Sequence, residues 1–455
     1  MIDVKELKSR YDEIKANIDN RYMKVDLDKI IKDQDERAAL LLELETLRAK
    51  RNETAAKMKG KLTPEERAVL INEGKAIKEE LAVKEAEFTK IDQIFNEEVR
   101  TIPNYAHKDA PIGKEDKDSL AIKFFGEPKK FSFKAKDHVE LGESLDILDF
   151  DNGAKVAGQK FYYIKNKAVI LQMALERYAM DIVIKHGFTP FITPDIAKEE
   201  ILNGIGFNPR GEESNIYTIE GTGTCLVGTA EITLGGYYQN TILDKKDLPI
   251  KMTGLSHCFR REAGGAGQYS KGLYRVHQFS KLEMFIYCLP EESDDFHKQI
   301  LAIEEEIFSG LGLAYRVVDT ATGDLGAPAY RKFDIEAWMP GRGEDGEYGE
   351  VTSTSNCTDY QARSLNIRYR DDDGKIKFVH MLNGTAVALS RAMVAIIENY
   401  QNEDGSVSIP PVLVPYCGFD KISKEGWIIW NQHWSLTFTN LLWCRDTLSK
   451  SITLE

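Results

Sequence analysis

Five side chains between positions 253 and 287 could together hold a nucleotide: Arg260, Glu262, Arg275, Phe279 and Glu283. Arginine presents a fixed, permanently charged fork that suits phosphate oxygens. An aromatic ring offers a flat surface to a base, and a carboxylate can accept a hydrogen bond from an exocyclic amine. An ordinary hairpin with a charged, solvated face would contain the same residues, so this stretch alone leaves both interpretations open.

The pattern of this stretch predicts two strands joined by a loop. The first strand is expected around residues 257–262, and the second, which alternates with period two, from about 273 to 287. Because successive strand residues point to opposite faces, Arg260 and Glu262 should share one face, as should the charged and aromatic residues of the second strand. The glycines of residues 263–272 predict a segment that can move and approach a ligand closely.

Two later segments place a charge beside hydroxyl or apolar residues. Glu350 directly precedes a hydroxyl-rich run at 352–355. A carboxylate near hydroxyls could hold Mg²⁺ at a polyphosphate site, although a serine/threonine strand with hydroxyl-to-backbone bonds has the same sequence. A turn is expected at 383–385, followed by an apolar helix over 386–398 whose single cation is Arg391. Burying an unpaired arginine is costly, so a phosphate or carboxylate partner is expected there.

Residues 27–99 are charged and rich in helix formers, with apolar residues at heptad spacing. Gly60 would end a first helix, while Thr63, Pro64 and Glu66 form a capping box with proline at the first helical position. We interpret the segment as an antiparallel coiled coil of two helices, each on the order of 45 Å long at roughly 1.5 Å per residue.

The tip of this coiled coil is basic, with Glu53 expected as the nearby opposite charge. Its cations are Arg48, Lys50, Arg51, Lys57, Lys59 and Lys61. Such a patch could contact the phosphates of a nucleic acid. A coiled coil with solvated lysines that joins subunits is the commoner structure for this composition, so the tip by itself favours the second interpretation.

The bulk composition limits the class of protein. A length of 455 residues predicts two to three domains. The net charge of −13 argues against attraction of nucleic acid to the whole surface, so a polyanion would need a local basic patch. Six scattered cysteines without a C-x-x-C pair suggest neither a disulfide framework nor a zinc site. Charges near the start argue against a secretion signal, so a cytoplasmic location without membrane contact is expected.

Several further elements are expected. A helix over 162–186 leads into a strand within 187–194, whose prolines suit a sheet edge, and the two offer a plausible dimer surface. A helix over 293–312, strands at about 314–319 and 333–338, and a terminal strand over 410–416 should follow. The last thirty residues hold four of the 5 tryptophans, and interrupting polar residues argue against a membrane span.

Together these segments resemble the seryl-tRNA synthetases, a family of class II aminoacyl-tRNA synthetases, over nearly all of residues 1–424. The helix leading into GFTPFITP resembles class II motif 1, FRREAGGAGQYSKGLYRVHQF resembles motif 2, and NGTAVALSRAMVAIIENYQ resembles motif 3. The resemblance implies an α+β fold in a homodimer. An N-terminal antiparallel two-helix coiled-coil arm would precede a class II catalytic domain, an antiparallel sheet of six to seven strands flanked by helices.

Domain boundaries are expected where the sequence changes character and where the resemblance ends. Residues 1–102 would form the tRNA-binding domain with its arm, 103–135 a polar linker, 136–424 the catalytic domain, and 425–455 a Trp-rich extension of unknown role.

Functional roles carry over by motif. Arg260 would hold the α-phosphate of ATP and the serine carboxylate, Glu262 the adenine or the tRNA terminus, and Phe279 would stack on adenine with Arg391 on its other face. The residues implied to bind ATP are Arg260, Arg261, Glu262, Val276, Phe279, Glu350, Val351, Thr352, Ser353 and Arg391. Those implied to bind serine are Thr229, Ala230, Glu231, Arg260, Glu283, Asn383 and Thr385. Glu350 and Ser353 would hold Mg²⁺, and the six basic residues of the tip would bind tRNA.

The implied activity is the activation of L-serine with ATP and transfer of the seryl group to the 3′-terminal adenosine of tRNA(Ser), with tRNA(Sec) left open. One alternative is a synthetase-like enzyme that charges another carrier, a group that usually lacks the arm. Another is an interaction protein built on an inactive synthetase, which should have lost its charged ligands. A P-loop or Rossmann enzyme is excluded because neither of their glycine motifs occurs.

Overall fold

The computed structural model describes residues 1–207, 215–262 and 270–424. Most of the glycine-rich segment expected to move, and the Trp-rich extension, lie outside the described residues. Among the helices that are described, none is long and apolar enough to cross a membrane.

The N-terminal part is helical, as the sequence predicts. Helix α1 spans Tyr11–Asn20, α2 spans Leu27–Lys57 and α3 spans Pro64–Val99. Thr63 caps α3: its Oγ1 accepts the Glu66 N–H at 3.2 Å, and its own N–H donates to Glu66 Oε2 at 2.8 Å. The predicted capping box is therefore confirmed, and it starts the second helix directly after a short turn.

Helices α2 and α3 run antiparallel along each other. Lys29, near the start of α2, forms an ion pair with Glu98, and Arg48, further along α2, forms one with Glu85. Residue numbers that increase along α2 therefore meet residue numbers that decrease along α3. Four apolar residues are buried between the two helices: Leu44, Leu47, Ile77 and Leu81. Since burying one leucine stabilises by about 1.5–3 kcal/mol, this seam accounts for the pairing of two otherwise charged helices.

One large sheet forms the core of the rest of the chain. Its strands are β1 (Leu120–Phe125), β2 (Thr189–Ile192), β3 (Ile250–Phe259), β4 (Gln278–Cys288), β5 (Tyr315–Asp319), β6 (Arg331–Met339), β7 (Glu347–Asn356) and β8 (His380–Ala388). The strand order is β1-β5-β6-β7-β8-β4-β3-β2, and every neighbouring pair is antiparallel except β2 and β3. As predicted, β2 lies at a sheet edge.

The sheet is larger than the six to seven strands implied by the resemblance. Within the described residues it has 8 strands. The additional edge strand β1 comes from the segment expected to be a polar linker, and it pairs with β5 in antiparallel register from Leu120 opposite Asp319. The sequence pattern did not indicate a strand there, because the apolar residues of β1 are exposed and stand in a short, charged segment.

Strand β4 shows how the sheet separates two hydrophobic cores. Met284 and Ile286 lie in the core formed with helices α4 (Lys167–Lys185), α5 (Ser293–Gly310) and α6 (Leu389–Asn399). Phe285 and Tyr287 lie in a second core on the opposite face. Because a strand alternates its side chains, burial of both faces explains the continuous apolar run at the end of β4.

The predicted hairpin exists, but its strands are displaced. Strand β3 ends at Phe259, so Arg260 and Glu262 follow the strand rather than share a face of it. Strand β4 begins at Gln278, so Arg275 precedes it, after a 3-10 turn at Gly272–Tyr274. Because these residues lie outside the strands, their side chains do not follow the alternation of a strand, and they can approach one another from loops.

Two further predictions are wrong. Residues 383–385 lie inside β8 rather than in a turn, because the ladder with β4 continues through them. Residues 410–416 do not form a strand: they contain the 3-10 turn Pro411–Leu413 and enter the short helix Val414–Cys417. Prolines lack the N–H that a ladder requires, which favours the turn.

The remaining elements are short. The helices are Val4–Glu6, Asp116–Asp118, Lys245–Asp247 and Pro290–Glu292 of 3-10 type, with His138–Ser144, Phe150–Ala157, Glu199–Ile205, Ala230–Gly236 and Tyr360–Leu365 of α type. The strands are Leu148–Asp149, Tyr163–Ile164, Ile196–Lys198, Thr218–Ile219, Thr224–Leu226, Ile242–Asp244, Arg368–Arg370, Ile376–Phe378, Val407–Ser408 and Lys421–Ile422.

Candidate active site

A pocket opens over β4, β7 and β8, beside the start of α6. Its lining includes all but one of the residues that the sequence assigned to ATP: Arg260, Glu262, Val276, Phe279, Glu350, Val351, Thr352, Ser353 and Arg391. Arg261 is exposed and lies outside this lining. Tyr274, Arg275, Lys281 and Thr385 complete the charged and polar surroundings.

Arg260 is fixed in the pocket by the backbone around it. Its N–H donates to the His277 carbonyl at 2.9 Å, and its Nε donates to the Gly228 carbonyl at 3.1 Å. The guanidinium carbon lies 5.4 Å from the centre of the Phe279 ring, a distance at which a cation is attracted to the ring face. The arginine fork and the aromatic surface are thus held together as one unit.

Glu262 and Arg275 meet although neither lies on a strand. Glu262 adopts a left-handed backbone with φ 52°, and its Oε2 accepts Arg275 Nη1 at 2.6 Å. A non-glycine residue in this region is uncommon and marks a specific turn. Here the turn directs the carboxylate toward the pocket, where it pairs with Arg275.

A β-bulge places two metal-binding candidates on the same side. Residues three apart on an unbroken strand would face opposite ways, yet Glu350 and Ser353 both line the pocket. The register of the ladder between β6 and β7 shifts between Glu350 and Thr352. Val351, which lies between them, is therefore an extra residue of β7. An extra residue in one strand resets the alternation, so Glu350 and Ser353 fall on the same side of β7.

Arg391 has the anionic partner that the sequence predicted. Its Nη1 lies 2.9 Å from Glu350 Oε1 and donates to the Glu350 carbonyl at 3.3 Å. Its guanidinium lies 5.0 Å from the ring centre of Tyr274, whose hydroxyl donates to the same carbonyl at 3.2 Å. Burial acts to raise the pKa of Glu350, but the charges of Arg391 and two further cations outweigh it and lower that pKa below its ordinary value.

The oxygen donors beside Arg391 suit Mg²⁺. Glu350 and Ser353 offer a carboxylate and a hydroxyl, and Asp334 pairs with Ser353 across the ladder. Burial raises the pKa of Asp334 to about 7, with Lys332 opposing the shift. In the part of the chain that the structure describes, no group of three or more His, Cys, Asp or Glu side chains is placed to hold a metal. Mg²⁺ would therefore bind through few protein oxygens together with phosphates, its usual mode.

Glu231 stands at the start of the helix Ala230–Gly236. The cap is Thr229, whose Oγ1 accepts the Glu231 N–H at 3.2 Å. The carboxylate Oε1 accepts Gln361 Nε2 at 2.8 Å and Asn383 Nδ2 at 3.0 Å. Burial, reinforced by the charge of Glu283, raises the pKa of Glu231 to about 7. A cationic amine beside it would therefore stabilise the ionised form.

A second network links β4 to β8. Lys281 Nζ lies 2.5 Å from Glu283 Oε2 and donates to Thr385 Oγ1 at 3.2 Å, while the Thr385 hydroxyl lies 3.2 Å from the same carboxylate oxygen. All three residues are buried. The arrangement offers hydrogen-bonding groups to a small hydroxyl, whereas an apolar ligand would gain no hydrogen bond from it.

The structure adds residues to which the sequence assigned no role. Lys281 follows the same alternation as Phe279 and Glu283, so strand periodicity could have identified it. Gln361 reaches Glu231 across a separation of 130 residues, and only the fold brings these two together. No role in the pocket was expected for Tyr274, because its segment was expected to be a strand.

The basic tip of the arm is partly neutralised. Arg48 pairs with Glu85 at 2.9 Å, and Lys57 with Glu53 at 3.0 Å. The expectation that Glu53 was the nearby opposite charge was therefore wrong for Arg48, because α3 supplies a second carboxylate. The other four cations are exposed and form no ion pair with a described residue: Lys50, Arg51, Lys59 and Lys61.

Comparison with known proteins agrees with these features. The model of the seryl-tRNA synthetase N-terminal domain matches residues 1–106, and that of the class II tRNA synthetase core domain (G, H, P, S and T) matches residues 217–400. The serine–tRNA ligase of Treponema denticola is 63% identical over 93% of this chain and 100% of its own length. That of Borrelia recurrentis is 54% identical over 94% of this chain and 100% of its own.

Solved structures agree as well. The seryl-tRNA synthetase of Pyrococcus horikoshii complexed with ATP superposes with a TM-score of 0.81 at 40% identity, over 93% of this chain and 99% of that one. The cytoplasmic serine–tRNA ligase of Naegleria fowleri in complex with AMP gives a TM-score of 0.76 at 30% identity, over 91% and 95% of the two chains. The chain belongs to the seryl-tRNA synthetase family, the serine–tRNA ligases.

Proposed function

We propose that this chain activates L-serine with ATP to form seryl-adenylate and then transfers the seryl group to the 3′-terminal adenosine of tRNA(Ser). The observation that carries the proposal is the convergence of Arg260 and Arg391 in one pocket with Lys281 and Thr385, both of which contact the buried Glu283. Phosphate-binding cations thus lie next to groups suited to a small polar amino acid.

The chemistry requires positioning rather than a protein nucleophile. The serine carboxylate attacks the α-phosphorus in line, the bond to the bridging oxygen breaks, and pyrophosphate leaves. Arg260, already fixed by two backbone hydrogen bonds, would hold the α-phosphate and the attacking carboxylate, and Arg391 would face the γ-phosphate. Preorganised charges of this kind lower the barrier because they need not reorient during reaction.

Selectivity for serine follows from the buried polar groups. Glu231 would pair with the ammonium group, while Glu283 and Thr385 would pair with the hydroxyl. Alanine has no hydroxyl to offer Glu283 and Thr385, and a site built to hydrogen-bond a hydroxyl rejects such an analogue strongly.

Glu350 and Ser353 would hold Mg²⁺, which when bound neutralises phosphate charge. Their accessible positions support this role, because the Glu350 side chain is 41% exposed although it is paired with Arg391. Asp334 would support Ser353 from the neighbouring strand.

The arm would contact tRNA through its tip. Lys50, Arg51, Lys59 and Lys61 offer exposed charges on an acidic protein, and such charges bind phosphate with a strong dependence on salt. Charging of tRNA(Sec) would test whether the same contacts serve that tRNA.

A homodimer in the cytoplasm is part of the proposal. Edge strand β2 exposes Ile192 at 89%, and α4 exposes Met173 at 61%. Large apolar side chains at an unpaired edge favour a partner chain. The five described cysteines are unpaired, which suits a reducing compartment. Analytical ultracentrifugation of the full chain tests the dimer: a monomer at micromolar concentration would contradict it.

The first experiment is serine-dependent ATP–pyrophosphate exchange, compared with threonine, alanine and cysteine, with and without tRNA. We expect exchange with serine alone, and loss of exchange in Arg260→Ala. Exchange with serine but no charging of tRNA(Ser) would favour a carrier other than tRNA. A folded protein without exchange would favour the interaction protein built on an inactive synthetase.

A further inference from the structure

Arg21, which follows α1, is a buried cation bound by backbone alone. The residue is 2% exposed, and its side chain forms no ion pair with any other described residue. Nη1 donates to the carbonyls of Asn104 at 2.7 Å, Ala329 at 3.2 Å and Ala327 at 3.3 Å. Nη2 donates to Gly326 at 2.7 Å and Leu325 at 2.9 Å.

Four of these carbonyls belong to one loop of the catalytic part, residues 325–329. Carbonyl oxygens that converge repel each other and need donors when they are buried. A planar guanidinium with several N–H groups satisfies them together, which a lysine ammonium or a neutral side chain cannot do. Burial lowers the pKa of Arg21 to about 10, so the side chain remains charged at neutral pH. The conformation of this loop therefore depends on a residue of the N-terminal domain.

Two residues that flank the loop meet at β6, the strand that pairs with β7 of the candidate ATP pocket. Asp324 precedes the loop and Lys332 follows it on β6, and Lys332 Nζ lies 3.4 Å from Asp324 Oδ2. The same ammonium lies 3.1 Å from Asp334 Oδ2. Lys332 is one of the cations whose charge acts on the Glu350 carboxylate, which pairs with Arg391. The contacts that start at the helical domain thus reach Asp334, whose ladder partner Ser353 lines the pocket.

We propose that Arg21 is a positioning residue of the ATP site: it holds loop 325–329 so that Lys332 stays paired with Asp324 and with Asp334, the ladder partner of Ser353 in the pocket. The inference rests on the proposed function, because it takes this pocket to be where ATP binds. A residue of the tRNA-binding domain then affects amino-acid activation even when no tRNA is present.

The test measures ATP–pyrophosphate exchange without tRNA in the full-length chain. Arg21→Met removes every donor and keeps much of the apolar volume, and Arg21→Lys is a milder change should the first variant fail to fold. Because coupling between sites of this kind is worth about 5- to 150-fold, we expect the KM for ATP to rise about tenfold while the KM for serine changes less than about twofold. General loosening of the fold would move both constants.

A matched control lies in the same domain. Arg10 pairs with Glu6 and Glu13 and lies 4.5 Å from the Tyr105 ring centre, with no contact to the loop. Arg10→Met should leave the KM for ATP unchanged. Thermal unfolding of each variant separates loss of folded protein from loss of positioning.

Asp324→Asn tests the other end of the same connection. Its side chain is 40% exposed, so the variant should fold, and it should raise the KM for ATP in the same direction. The double variant Arg21→Met/Asp324→Asn should be no worse than the more impaired single one. Values for both single variants within twofold of wild type, or fully additive effects, would overturn the inference. Absence of exchange in the wild type would instead reject the proposed function.

Discussion

Serine binding should depend on pH through Glu231. Burial and the nearby Glu283 raise the pKa of this carboxyl to about 7, within the range where the enzyme can be assayed. Only the ionised carboxylate can pair with the serine ammonium group. As pH falls through the pKa the ionised form is lost, so serine affinity should fall on the acid side and be constant on the alkaline side.

The size of the effect follows from the titration. Below the pKa the ionised fraction falls about tenfold per pH unit, so the KM for serine at pH 6 should be about ten times its value above pH 8. Glu231→Gln keeps the size of the side chain and removes its charge. Since a hydrogen bond to a charged group contributes about 1.5–3 kcal/mol, this variant should raise the KM for serine roughly 10- to 150-fold at pH 8.

The assay is serine titration of ATP–pyrophosphate exchange between pH 5.5 and 8.5, with the KM for ATP measured at each pH as the internal control. The serine constant should rise toward acid while the ATP constant does not follow it. In Glu231→Gln the acid-side rise should disappear. A serine KM that is flat from pH 6 to 8 in the wild type, or the same rise retained in the variant, would refute the assignment of Glu231 to the ammonium group.

Three further perturbations probe other parts of the molecule. The triple replacement of Lys57, Lys59 and Lys61 by alanine should spare exchange but weaken tRNA charging and reduce its salt dependence; normal charging would remove the tip from the tRNA contact. Lys281→Met leaves the Glu283 carboxylate buried without its cation, so we expect a loss of about 3–5 kcal/mol in the free energy of unfolding and weaker serine binding. Chemical denaturation with parallel exchange assays distinguishes these two results from an unaffected enzyme, which would contradict the network. Leu44→Ala removes apolar contacts from the buried seam of the arm, at a cost of about 2–5 kcal/mol in stability. It should lower tRNA charging while exchange stays normal. Unchanged stability of the arm, measured by hydrogen exchange, would show that the seam is not continuous.

The sequence predicted well those features that have a local physical cause. The capping box at Thr63 and Glu66 needs only four neighbouring residues, and it fixed the start of α3. Prolines around β2 identified a sheet edge, because a missing N–H has the same effect in any fold. The cost of burying Arg391 without a partner predicted an anion, and the structure provides Glu350.

Features that depend on register were not predictable in the same way. The bulge at Val351, which brings Glu350 and Ser353 to one side, leaves no signature in the residue types. Arg260 and Glu262 were expected on a strand, but the ladder stops at Phe259, and a left-handed residue redirects the chain. The contact of Gln361 with Glu231 joins segments far apart in the sequence, and no spacing rule covers it.

Charge is used differently at the two ends of this molecule. In the pocket, Arg391 with Glu350, Arg275 with Glu262 and Lys281 with Glu283 are paired before any substrate arrives. The cost of removing these charged groups from water is therefore offset by their pairing during folding. A substrate phosphate or ammonium group then only replaces one partner of a charge that is already in place. At the arm tip the free cations are exposed, so their attraction for phosphate is screened over about 8 Å at physiological salt. Activation should consequently tolerate high salt, whereas capture of tRNA should not, because only the second process depends on unpaired charges in water.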